Sequence, residues 1–80
     1  MGEKRIPRRV KINDKWYDVR EGWAGTLELS DGVYPPKYTA KEPYMHMNNF
    51  YFVHDGNNNK VGEIDMNHKS CSGGVTGLEG

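Results

Sequence analysis

Three histidines, His46, His54 and His68, and a single cysteine, Cys71, are the side chains of this chain best suited to chemistry. His68 and Cys71 stand three positions apart, a spacing at which both can reach one tetrahedral zinc ion. A second pair is missing. His46 lies in a stretch rich in proline, tyrosine and methionine, His54 ends an apolar run, and no Cys-x-x-Cys or His-x-x-x-His supplies the other two ligands. Neither a metal site nor any other cofactor is expected. Met45-His46-Met47 offers soft ligands of the kind Cu(I) takes, and thioethers in such a run serve equally as packing material. A nucleophile would need Cys71 or Ser70 beside His68 or His54, but residues 68–80 lack the apolar bulk that would hold such a geometry. Ser72-Gly73-Gly74 lacks the Lys-Ser/Thr that completes a phosphate loop, and Glu63 and Asp65 share a strand face as solvated carboxylates commonly do. The expectation is a protein without enzymatic activity.

The elements that would position any site must come from eighty residues. A domain of that size buries only about 60% of the surface its unfolded chain exposes, so function belongs on the surface rather than in a deep cleft. Four prolines, ten glycines and short β-branched or aromatic runs leave no window with a sustained helical stripe. The fold class expected is all-β. Strands are read over 5–12, 16–20, 23–29, 50–55 and 60–66, closing into a small five-stranded antiparallel barrel of the SH3-like or OB-like kind. Ile6, Val10, Ile12, Val19, Leu27, Leu29 and Phe52 are its expected core. Phe50 to His54, a turn rich in glycine and asparagine, and Lys60 to Met66 form the clearest hairpin, with Gly62 the natural place for a bulge. Residues 35–49 read as a long loop between strands three and four, and 68–80 as a flexible tail behind a single domain of 1–67.

Charge is sorted along the chain. Seven basic residues stand against three acidic ones in the first twenty positions, and four against eight in the remainder, so +4 and −4 cancel to zero. Such a chain can offer a basic stripe to one partner and an acidic patch to another. The amino terminus has no apolar h-region and no membrane span follows it, so a cytoplasmic location away from membranes is expected.

Two readings of function follow. Arg5, Arg9 and Lys11 on one strand face, with Trp16 and Tyr51 as surface aromatics, would suit single-stranded nucleic acid. Phe50-Tyr51-Phe52-Val53-His54 resembles the second RNA-binding motif of cold-shock domains, without the Lys-Gly-Phe-Gly-Phe-like first motif. Asp14-Lys15-Trp16-Tyr17 and Asp55-Gly56-Asn57 resemble pieces of Tudor-type SH3 barrels at a different spacing. Neither assigns a family. Zero net charge favours protein partners over phosphate backbones. The preferred reading is a small adaptor or inhibitor, of the sort phages and mobile elements encode as accessory factors. It would dock on a larger protein through Tyr38, Tyr44, Met45 and Met47, steered by Arg5, Arg9, Lys11 and Trp16.

Overall fold

The computed structural model describes residues 5–42 and 49–80. It is all-β, with an antiparallel sheet curled into a nearly closed barrel. The strands are β1 (Arg9–Ile12), β2 (Lys15–Glu21), β3 (Leu27–Ser30), β4 (Tyr38–Lys41), β5 (Phe50–Asp55), β6 (Lys60–Asp65), β7 (Ser70–Gly73) and β8 (Val75–Glu79). A 3-10 turn, Trp23–Gly25, precedes β3. Among the described residues, eight strands stand where five were expected. Their order is β7-β6-β5-β4-β3-β2-β1-β8, so the first strand is flanked by the second and the last.

Each departure from the sequence reading has a physical cause. Residues 35–49 are not one loop, because Tyr38–Lys41 pairs with β3 and β5 and buries Ala40 between Leu27 and Val53. Residues 68–80 are not a tail: β7 pairs with β6, and β8 pairs with β1, placing Val75 opposite Ile12. The third strand is shorter than expected because Gly25, at φ +80°, takes a conformation that breaks an extended run. Trp23, inside the expected third strand, instead lies on that turn and is 87% exposed.

Alternation fixes what faces inward. Val10, Ile12, Tyr17, Leu27, Leu29, Ala40, Tyr51, Val53, Ile64, Met66 and Val75 form the buried core, with Ile6, Val19, Tyr38 and Cys71 packed against it. Full burial of an aliphatic side chain such as Leu27 or Leu29 contributes about 1.5–3 kcal/mol. The phase of β5 is opposite to expectation. Tyr51 and Val53 point inward, while Phe50 and Phe52 lie half-buried on the outer face, edge to face with centroids 5.5 Å apart. Tyr51 tolerates full burial because its hydroxyl donates to the Arg5 carbonyl at 3.2 Å. Its phenol is pushed up to about 12, chiefly by burial and further by Glu42 and Glu21.

The barrel seam is made of glycine. The register of β5 on β6 skips Val61, giving a bulge beside Gly62. There the Gly74 N–H donates to the Val61 carbonyl at 2.6 Å. A Cβ on Gly62 would lie 2.7 Å from both the Ser72 carbonyl oxygen and the Val75 Cγ2, so only glycine lets β8 approach β6 this closely.

Candidate binding surface

Outward-facing side chains of β1 to β3 make one continuous face. Cross-strand register sets Lys11 opposite Trp16, Arg9 opposite Asp18, Asp18 opposite Ser30, and Arg20 opposite Glu28. Trp16 is 39% exposed, with the Arg9 guanidinium carbon 5.6 Å and the Lys11 ammonium 5.9 Å from its ring centroid. Gly77 of β8 gives the indole room, since a Cβ there would sit 3.3 Å from Trp16 Cη2.

The positive charge of this face is largely matched. Arg9 makes a bidentate pair with Glu79 at 2.7 Å, and Arg20 Nε donates to Glu28 at 3.2 Å. Lys15 reaches Asp31 at 2.7 Å. In each case a cation from the first twenty residues meets a carboxylate from the later acidic stretch. Charge sorted along the sequence is therefore paired across strands, and the separate basic stripe and acidic patch are not formed by these residues. Asp18 is exposed and makes no ion pair among the described residues.

Beside this face a groove of about 450 Å³ opens between Asp18, Arg20 and Ser30 on the strands and Gly32, Val33 and Tyr34 on the following turn. Val33 is 60% and Tyr34 77% exposed. The turn that carries them is tied down. Ser30 Oγ accepts from the Gly32 N–H at 3.1 Å, and Asp31 Oδ1 accepts from the Val33 N–H at 3.3 Å. The other carboxylate oxygen of Asp31 takes Lys15 at 2.7 Å and Lys37 at 3.5 Å, and its side chain is 4% exposed. These contacts, the Lys15 hydrogen bond first, hold the Asp31 carboxyl down to about 2 against the opposing effect of burial. Gly32 supplies the positive φ, +98°, that the turn needs, and the Tyr34–Pro35 bond that follows is cis.

The residues singled out from sequence are dispersed. Arg9, Lys11 and Trp16 come together on the outer face of β1 and β2. Arg5 precedes β1, its N–H donating to Asn49 Oδ1 at 2.5 Å. Tyr38 is half-buried on β4 with its ring edge-on to Tyr17 at 5.2 Å, a packing contact. Tyr44, Met45 and Met47 lie outside the described residues, as does His46. Tyr51, expected at the surface for base stacking, is in the core. Val33 and Tyr34 were not among the expected contact residues; the turn-forming run Ser30-Asp31-Gly32 just before them is the signal that could have found them.

For metal chemistry, His54 lies on the outer face of β5, Cys71 faces inward on β7 opposite Ile64, and His68 is 4.0 Å from Asp65. No three metal-binding side chains converge among the described residues. No helix there is long and apolar enough to cross a membrane. Comparison with protein-family models, with curated proteins and with solved structures returns no match to this chain.

Proposed function

We propose that this protein is a non-enzymatic binding module, an adaptor or inhibitor that docks on a larger protein through the groove between β2, β3 and the 31–34 turn. The observation that carries this reading is the pairing of exposure with rigidity at Val33 and Tyr34. Apolar side chains on a loose loop lose entropy when they bind, whereas these two sit on a turn already fixed by Ser30, Asp31, Lys15 and Lys37. Tyrosine anchors beside a mixed-charge rim are the composition of protein interfaces. Trp16, with Arg9 and Lys11 around it, extends the same face.

A second reading, binding of single-stranded nucleic acid, has the outer face of β5 in its favour, where Phe50, Phe52 and His54 alternate in the manner of a stacking platform. Against it, the Lys60 ammonium lies 3.9 Å from the Phe52 ring centroid, and Arg9 and Arg20 are engaged by carboxylates. Affinity capture from lysate, with and without nuclease, separates the two. Retention of a protein partner after nuclease treatment, and its loss in Tyr34→Ala, is the expected outcome. Capture that disappears with nuclease supports the second reading instead.

A further inference from the structure

Resting on the docking reading above, we infer that the groove receives an extended segment of the partner carrying a lysine or arginine side chain, which pairs with Asp18 and lies against the Tyr34 ring. The inference comes from the charge that remains once internal pairs are formed. Arg9, directly across from Asp18, turns its guanidinium to Glu79 in a bidentate pair. Arg20, two positions along the same strand face, is held by Glu28, and Lys15 by Asp31. Each of these cations has found another carboxylate. Asp18 is left exposed in the groove wall without an ion pair among the described residues.

The groove therefore presents a carboxylate that feels Arg9 at a distance but is held in no ion pair among the described residues, beside an aromatic ring that is 77% exposed. A carboxylate and a ring face together suit a guanidinium or ammonium, which gains a charge-assisted hydrogen bond from the first and a cation–π contact from the second. An acidic partner side chain would meet Asp18 directly and would have to displace Glu28 from Arg20. Ser30 Oγ already accepts the Gly32 N–H, so the polar group on that wall is committed to the turn. Val33, 60% exposed on the groove's other side, suits an apolar residue flanking the cation in the same segment.

The test is to pan a phage-displayed library of random dodecapeptides on the immobilised full chain. An enriched peptide is then synthesised and titrated by fluorescence anisotropy against wild type, Asp18→Asn, Asp18→Lys and the double variant Val33→Ala/Tyr34→Ala, each first checked by circular dichroism for an unchanged melt. Enriched peptides are expected to share a Lys or Arg at a fixed position. Asp18→Asn should weaken binding about tenfold or more, as loss of a hydrogen bond between charged groups does. Changing the shared basic residue to Gln should weaken wild type to the same extent and Asp18→Asn no further, which marks direct coupling. Enrichment of peptides without a shared basic residue, unaltered binding by Asp18→Asn, or no enrichment at all would overturn the inference. Loss of binding in Val33→Ala/Tyr34→Ala alone would leave the docking reading standing while the cation is rejected. Full binding by that double variant would remove both.

Discussion

Arg9 and Glu79, seventy positions apart in sequence, form a bidentate ion pair at 2.7 Å across the β1–β8 ladder. That contact joins the basic start of the chain to its acidic end and fixes the last strand beside the first. Both side chains remain about two-fifths exposed, so the pair serves register more than stability. Glu79→Gln is expected to lower stability by less than about 1 kcal/mol in denaturant titration. A loss several times larger would show that the pair holds β8 in place.

The seam is more demanding. Gly62→Ala puts a methyl group 2.7 Å from the Ser72 carbonyl oxygen and from Val75, and the backbone atom cannot swing aside as a flexible side chain would. The expected cost is about 1–3 kcal/mol, read as an earlier thermal transition. An unchanged melting temperature would mean that β7 and β8 stand farther from β6 than described.

Acid should loosen the turn beside the groove. The Asp31 carboxyl is held at about 2, below its ordinary 3.8, so its stabilisation is fully present above the ordinary value and is lost as pH falls from there through about 2. Asp55 and Glu63 are lowered too and contribute a slope of the same sign. Asp31→Asn should therefore flatten the acid limb of a stability–pH curve in that window without abolishing it. An acid limb identical to wild type would contradict the Lys15–Asp31–Lys37 network.

Two tyrosines four positions apart should behave oppositely. Tyr38 packs edge-on to Tyr17 against the core, and Tyr38→Ala should cost stability on the scale of an aromatic truncation, up to about 3 kcal/mol for a half-buried ring. Tyr34→Ala, at a side chain 77% exposed, should leave the melt within about 0.5 kcal/mol of wild type. Equal destabilisation by both would place Tyr34 in the fold rather than on the binding surface.

The hairpin of β5 and β6 was legible because its strands carry apolar runs and its turn carries Asp55, Asn57 and Asn59, whose N–H groups and carboxylate close it. Strands β4, β7 and β8 were not. Tyr-Thr-Ala-Lys, Ser-Cys-Ser-Gly and Val-Thr-Gly-Leu-Glu have little bulk of their own, and each becomes a strand because a neighbour offers a ladder. The inward phase of β5 was misread because Phe50 and Phe52 are the more apolar set, whereas register places Val53 and Tyr51 against Ala40 and Ile64. On the surface, alternation put Arg9 and Lys11 on one strand face, and the register of β1 on β2 then brought Trp16 to them. The groove did not, since it depends on Asp31 drawing Lys15 and Lys37 from separate parts of the chain.

The most direct test of the docking account is a paired measurement on Val33→Ala/Tyr34→Ala: the thermal melt, and the yield of nuclease-resistant protein partner captured from source lysate. The account predicts a melt close to wild type together with capture weakened by about 1 kcal/mol or more for each anchor residue. Capture equal to wild type, or a loss no greater than the fall in folded fraction, would contradict it.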